Sequence, residues 1–332
     1  FIKRFNQRTK SSKSFVEQSR PYLSDWINVL GFRHELKELI YPIVAKRSLG
    51  SKFWDLDDNE YVDIAMGYGV SYLGHNPALV TDAIKRQMND GFALAVQSAT
   101  VANVAALVRE LTGVQRVAFS NTGTEAIMIA LRLSRCITRR NKVVIFENSY
   151  HGSCDSVLAM SVGEHTLPIA PGIPHSMIDD TIVLKYNDPS SLHTIKERAH
   201  EIAAILVEPV QMTSLVCPSL QYLKELKALA TSAGSALIFD EVVTGFRLGQ
   251  GGAQEFFNID ADIVVYGKLV GGGLPIGIIA GSAKYLNSID GGMWRYGDES
   301  SPQRNTTFFA GTFSKHPLTM AAAHAVISHL KE

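Results

Sequence analysis

Lys268, in VVYGKLVGGGLPIG, follows Asp240, in LIFDEVVTGFR, by 28 residues. The lysine offers an amine able to form a Schiff base. The aspartate ends an apolar run and offers a carboxylate to a protonated ring nitrogen. Those are the two groups that pyridoxal phosphate (PLP) chemistry asks of a protein. An ionised carboxylate beside a pyridine nitrogen keeps it protonated, so the ring becomes an electron sink. A lysine amine released by an incoming substrate amine carries a proton between the substrate α-carbon and the cofactor C4′ carbon. Each residue also has an ordinary reading: a solvated lysine in a glycine-rich turn, and a capping or metal carboxylate at a strand end. Val242, two residues beyond Asp240, is placed to press on one ring face, and Glu241 reads as structural.

Upstream, SNTGTEAIMIALRLSR (residues 120–135) follows a strand-like run and opens a helix. Gly123 lets backbone approach a ligand closely, Thr122 and Thr124 bring hydroxyls, and a helix amino terminus favours an anion. This is a phosphate cup or an ordinary cap, with Thr122 capping and Glu125 at the third helical position. In NSYHG, Tyr150 offers a ring to lay against a flat cofactor. His151 offers an acid/base group, a donor to substrate or a plain turn residue. Glu208, in AAILVEPVQ, holds a ring substituent or a positioned lysine, or is a satisfied turn carboxylate before Pro209. Thr312, after Gly311 and ahead of a small-residue helix, offers a further phosphate contact. A nucleotide P-loop at GGGLPIG is excluded, because there the lysine precedes the glycines instead of following them into a helix.

These residues need a frame. From Thr100 onward, apolar strand-like runs alternate with helical patterns: VQRVAFS, KVVIFE, AAILVEPV, ALIFDEV and IVVYGK are the strands. That order implies an α/β fold with a mostly parallel central sheet covered by helices. Such sheets bind ligands beyond the carboxyl ends of their strands. Ser120, Glu147, Glu208, Asp240 and Lys268 each follow an apolar run, so all fall on that edge. Before this region, residues 1–35 read as helical, and residues 53–64 read as a hairpin around Asp57, Asp58 and Asn59. LGHNPALVTDAIKRQM reads as a helix capped by Asn76 with Pro77 in its first turn. Residues 161–180 read as a long loop, and the regular alternation stops near Gly281.

The 332 residues are 46% hydrophobic, with 32 basic and 32 acidic side chains. Neutral charge argues against nucleic acid or an anionic membrane as partner, and no apolar run reaches the length of a membrane span. Cys136, Cys154 and Cys217 are widely spaced and form neither a disulfide framework nor a C-x-x-C metal pattern. No metal is expected, and a reducing cytoplasm fits best.

Taken together, DLDDNEYVDI with LGHNP, SNTGTEA, SYHG, VEPV, FDEVVTGFR, GKLVGGGLPIG and GTFS…PL resemble the class III aminotransferases of PLP fold type I. The similar stretches run from about Phe53 to the end. The resemblance implies Lys268 as the Schiff-base lysine, Asp240 as the partner of the ring nitrogen, and Val242 and Tyr150 on the two ring faces. It also implies Gly123 and Thr124 at the phosphate, and Glu208 near the cofactor. It implies a homodimer with shared active sites, in which Thr312 reaches the neighbouring subunit's phosphate. The family continues into a small carboxy-terminal domain that helps close the site. Here the chain stops within a helix at HLKE, so that domain is expected to be missing. The expected divisions are residues 1–70 as an amino-terminal segment, 71–320 as the PLP-binding large domain, and 321–332 as the start of a truncated domain.

Within the class, YND, VEPV and DEVVTGFR are similar to glutamate-1-semialdehyde aminomutase. That enzyme has a glycine-asparagine pair after GTFS, where this chain has Lys315 and His316. The amino-terminal entry, the YPIVAKRSLGSKFWDLDDNEYVDI stretch and SKHPL resemble the aminotransferase domain embedded in hybrid polyketide/nonribosomal peptide synthetases. That resemblance implies amination of a β-ketoacyl chain on an acyl carrier protein, with an amino acid as donor. Arg33, in GFR, is the expected contact for the donor carboxylate. An aminomutase and a non-catalytic dimeric scaffold are the alternatives.

Overall fold

The computed structural model describes residues 1–332 apart from Glu164 and residues 303–305. It divides into two compact units, Phe1–Thr81 and Asp82–Glu332.

In the first unit, helices Ile2–Arg8 and Lys10–Ser19 accompany a three-stranded antiparallel meander, β1 (Ala45–Leu49), β2 (Lys52–Asp55) and β3 (Glu60–Val62). The hairpin expected at residues 53–64 is the β2–β3 pair, with Phe53 opposite Tyr61. Its turn is organised by buried Asp55, which accepts the backbone N–H groups of Asp57 and Asn59 and the Tyr61 hydroxyl. Asn76 does not cap as expected. It sits at φ +53°, in the left-handed region, whereas a capping residue is extended. The helix begins later, at Ala78, and Pro77 carries the carbonyl that accepts its first amides.

The second unit is built on a seven-stranded sheet. Its members are β4 (Arg116–Ser120), β5 (Lys142–Phe146), β8 (Thr181–Leu184), β9 (Ile202–Val207), β10 (Ala236–Asp240), β11 (Ile263–Gly267) and β12 (Gly277–Gly281). They lie in the order β4-β12-β11-β10-β9-β5-β8. The run from β11 to β8 is parallel, and β12 is the one reversed strand, antiparallel to both neighbours. Every residue of β9, β10, β11 and β12 is buried, as a sheet covered on both faces requires. Helix Gly123–Thr138 supplies one cover. Ala126, Ile127, Ala130, Leu131 and Leu133 point inward from it and pack with Ile145, Leu206, Ile238, Val265 and Ile279. Each buried branched side chain there contributes about 1.5–3 kcal/mol.

Two strands of the seven-stranded sheet escape the sequence reading. TIVL, now β8, is short and stands beside a loop-like region. GIIAG, now β12, hides behind its glycines. The stretch expected to be loop at residues 161–180 contains most of a hairpin, β6 (Ala159–Val162) with β7 (His165–Pro168), and a helical turn at His175–Ile178. Beyond Gly281 come helices Ala283–Asp290 and Pro317–Lys331. The last packs on helix Ala99–Thr112 and on the 3-10 turn Lys268–Gly271, and so backs the turn that carries Lys268. Among the described residues no helix is long and apolar enough to cross a membrane.

Candidate active site

Because β4, β5, β9, β10 and β11 point the same way, the residues just past their carboxyl ends share one edge of the sheet. That edge gathers Gly123, Thr124, Tyr150, His151, Glu208, Asp240, Val242 and Lys268.

Asp240 closes β10 with only 6% of its surface exposed. Its Oδ2 lies 2.7 Å from His151 Nδ1, and its Oδ1 accepts the Val242 N–H at 3.1 Å. His151 is itself 3% exposed. An imidazole donating from Nδ1 holds the carboxylate in place. The neighbouring Glu241 faces elsewhere: its carboxylate accepts the amides of Ala253 and Gln254 and the Thr244 hydroxyl.

Lys268 follows β11 at φ +46°, a left-handed conformation that costs a non-glycine residue on the order of 1 kcal/mol. Strain of that kind at a ligand-facing edge points to a side chain that must aim one way. Burial drives the Lys268 amine below its ordinary value. The Asp240 and Glu208 carboxylates pull it back up, and the Arg247 guanidinium lowers it further. The result is an amine more easily neutral than a surface lysine, as a nucleophile or proton carrier needs.

Glu208 follows β9 and is 6% exposed. Burial pushes its carboxyl up to about 7. The His151 side chain, the Tyr150 backbone N–H and the Lys268 charge act downward, while Asp240 acts upward. Glu208 Oε2 and His151 Nε2 are buried polar atoms with no hydrogen-bond partner among the described residues.

The amino terminus of helix Gly123–Thr138 forms the other half of the site. Thr122 Oγ1 accepts the Glu125 N–H, and Glu125 in turn accepts the Asn121 N–H at 2.8 Å. The cap reading of this motif therefore holds: the helix start is capped by its own side chains. Gly123 is tight against Val242, since a Cβ there would meet Val242 Cγ2 at 3.0 Å. The NSYHG turn is clamped beside it: the Ser153 N–H donates to Thr124 Oγ1 at 3.1 Å. Gly152 has φ +84°, and a Cβ on it would lie 2.3 Å from Thr124 Oγ1. Gly152→Ala is therefore expected to destabilise the fold by about 2–4 kcal/mol, from overpacking plus the left-handed penalty. A denaturation midpoint unchanged from the parent protein would contradict this.

Three residues expected at the site have exposed side chains. Tyr150 neighbours His151 in sequence, yet its side chain is mostly exposed. Thr312 is exposed in the segment after Gly311, which runs beside Asn121 at the helix start. Arg33 belongs to the first unit, where it is exposed ahead of the 3-10 turn His34–Leu39. Two features are absent from the sequence reading. One is the His151–Asp240 pair, 89 residues apart in the chain. The other is Arg247, whose charge acts on Lys268 and whose only local signal is its place in the GFR that follows Asp240.

A lysine amine, an ionisable carboxylate at a strand end, a helix amino terminus and two buried unpartnered polar atoms on one edge suit the amine chemistry, ring nitrogen, phosphate and ring substituents of PLP. Residues 34–332 match the model of the class-III aminotransferases. A glutamate-1-semialdehyde 2,1-aminomutase of Methanosphaera stadtmanae is 39% identical over 297 residues, covering 88% of this chain and 67% of that relative. The crystal structure of an omega-transaminase from Sphaerobacter thermophilus superposes with a TM-score of 0.85 at 30% identity, over 96% of this chain and 72% of that one. A beta-phenylalanine aminotransferase from Variovorax paradoxus gives a TM-score of 0.82 at 28% identity, over 98% of this chain and 70% of that one. The chain belongs to the class-III aminotransferase family, enzymes that use pyridoxal phosphate.

Proposed function

We propose that this chain moves an amino group from an amino acid donor to a keto acceptor in two successive half-reactions. The acceptor is a β-ketoacyl thioester on an acyl carrier protein, and the product a β-amino acyl chain. The observation that carries the aminotransferase reading is the Lys268 amine, made more easily neutral by burial and flanked by the carboxylates of Asp240 and Glu208.

PLP, when bound, supplies an aldehyde for the amine and an electron-withdrawing ring. Lys268 Nζ takes the proton from the donor's amine-bearing carbon and later returns one to the acceptor's carbon. Asp240, held by His151 Nδ1 and the Val242 N–H, would present its carboxylate to the ring nitrogen. Gly123 and Thr124, at the helix amino terminus, would hold the phosphate. Val242 and Tyr150 would flank the ring, and Glu208 would face a ring substituent. In this reading the enzyme works in the cytoplasm as a homodimer, with Thr312 reaching the neighbouring subunit's phosphate and Arg33 meeting the donor carboxylate.

Several observations support an acceptor aminated at the β-carbon. The entry and SKHPL segments resemble megasynthase aminotransferase domains, and a β-amino acid enzyme stands among the structural neighbours. Lys315 also holds φ +65°, the conformation a glycine adopts, where the aminomutase pattern has glycine. His316 caps the last helix through Nδ1, which accepts the Leu318 N–H at 3.2 Å.

The second reading is an aminomutase, favoured by the 39% identical relative. The two differ in donor demand. With carrier-bound β-ketoacyl thioester as substrate, amination is expected to require an added amino acid and to stop when it is withheld. Conversion of an amino-aldehyde substrate alone, with no donor added, would establish the aminomutase instead.

A further inference from the structure

We propose that Gln211 is a positioning residue for the candidate active site. Its buried side-chain amide ties the loop after β9 to the turn that carries His151, and so steadies the imidazole against Asp240. The proposal rests on the PLP reading of the site and deepens it.

Gln211 stands three residues after Glu208 and is 2% exposed. An amide is costly to bury unless both of its ends are paired. Here both are. Nε2 donates to the Glu147 carbonyl at 2.8 Å, and Oε1 accepts the Ser214 hydroxyl at 2.7 Å. The Gln211 N–H also donates to the Val216 carbonyl at 3.0 Å, which closes the loop behind the side chain. The bridge has a direction. Turning the amide over would set its oxygen against the Glu147 carbonyl, acceptor against acceptor.

Glu147 is where the chain leaves β5 for the NSYHG turn. Its N–H donates to the Leu184 carbonyl of β8 at 2.8 Å, and its own carbonyl goes to Gln211. Asn148 then turns the chain at φ +61°. His151 follows, with Nδ1 at 2.7 Å from Asp240 Oδ2, and the Ser153 N–H reaches Thr124 Oγ1 at 3.1 Å. The turn is pinned at its start, middle and end. Gln211 supplies the pin at the start, from 64 residues away in the chain. The Tyr150 N–H also acts on the Glu208 carboxyl, but that attraction changes when Glu208 titrates, whereas an amide holds at every pH. Gln211 thus acts on Asp240 through His151. A turn that wanders at its start lets the imidazole wander, and Asp240 loses a fixed donor.

Gln211→Leu removes the donor and nearly keeps the volume, and two measurements on the full chain test it. Without added cofactor, hydrogen exchange read by mass spectrometry should quicken about tenfold at residues 148–152, with β10 and β11 unchanged. In the PLP-loaded protein, kcat should fall about tenfold while KM stays within about twofold. On a His151→Asn background the same substitution should cost less than about twofold, because the residue it acts through is gone. A merely structural glutamine would lower both backgrounds alike. Ser214→Ala, at an exposed position, frees Oε1 but spares the Nε2 bond, and should quicken the same exchange by a smaller factor. Unchanged exchange at residues 148–152 in Gln211→Leu, or in Ser214→Ala where the leucine variant does not fold, overturns the proposal. Equal losses of kcat in the two backgrounds overturn it as well. A parent protein that takes up no PLP overturns the cofactor reading and the catalytic half of this proposal. Unchanged exchange in a protein that does take it up overturns the clamp alone.

Discussion

Lys268→Ala is expected to lower turnover by at least about 10⁴-fold, because one residue supplies both the amine that engages the cofactor and the proton carrier of each half-reaction. The fold should survive the change. Lys268 is only partly buried and in strained left-handed backbone, and removing a cation from a desolvated position relieves burial at least as much as it loses attraction to Asp240 and Glu208. The thermal midpoint should therefore hold or rise slightly. The amine form of the cofactor should still bind, since the helix amino terminus and Asp240 are untouched. Single-turnover amination with and without an added small primary amine separates the roles. Partial recovery with the amine is expected for a lost proton carrier. Turnover within tenfold of the parent would sink the mechanism.

Asp240→Asn is the second large effect. The amide is nearly isosteric and can still accept the Val242 N–H. It cannot offer an ionised oxygen to both His151 Nδ1 and a ring nitrogen. Removing one partner from a buried charged contact costs about 3–5 kcal/mol. At 1.36 kcal/mol per decade, a loss of that size in the transition state corresponds to about 10²- to 5 × 10³-fold in turnover. The loss should fall on kcat more than on KM, because the ring nitrogen's proton matters most when charge develops in the transition state. Cofactor occupancy read from absorbance must be reported beside the rates. A variant at full occupancy with unchanged kcat would remove Asp240 from the chemistry.

Much of the frame was readable because its signals are local. The fully apolar runs of β9, β10 and β11 announce strands buried on both faces, and a strand announces what lies at its carboxyl end. The Thr122–Glu125 cap announces the helix that follows. What failed locally failed for local reasons. β12 is two-fifths glycine and runs against its neighbours, so neither composition nor the expected parallel order reveals it. Its glycines reflect neighbours rather than turn chemistry: a Cβ on Gly277 would lie 2.1 Å from the Thr122 carbonyl oxygen. Asn76, read as a cap from its residue type, takes a left-handed turn instead, because Pro77 already supplies the carbonyl that starts the helix.

The sequence by itself determined which residues carry reactive groups and that each stands at the end of an apolar run, because strand and helix periodicity are written within a few residues. Only the tertiary structure decided which of them meet. His151 and Asp240 are separated by 89 residues, and β9 lies between their strands, so no spacing rule links them. The same holds for Glu208, whose raised titration comes from burial beneath its neighbours, and for Lys268, whose lowered one comes from burial among charges brought in by other strands. Desolvation and long-range electrostatics depend on what the whole chain places around a group, and that information is not local to any motif.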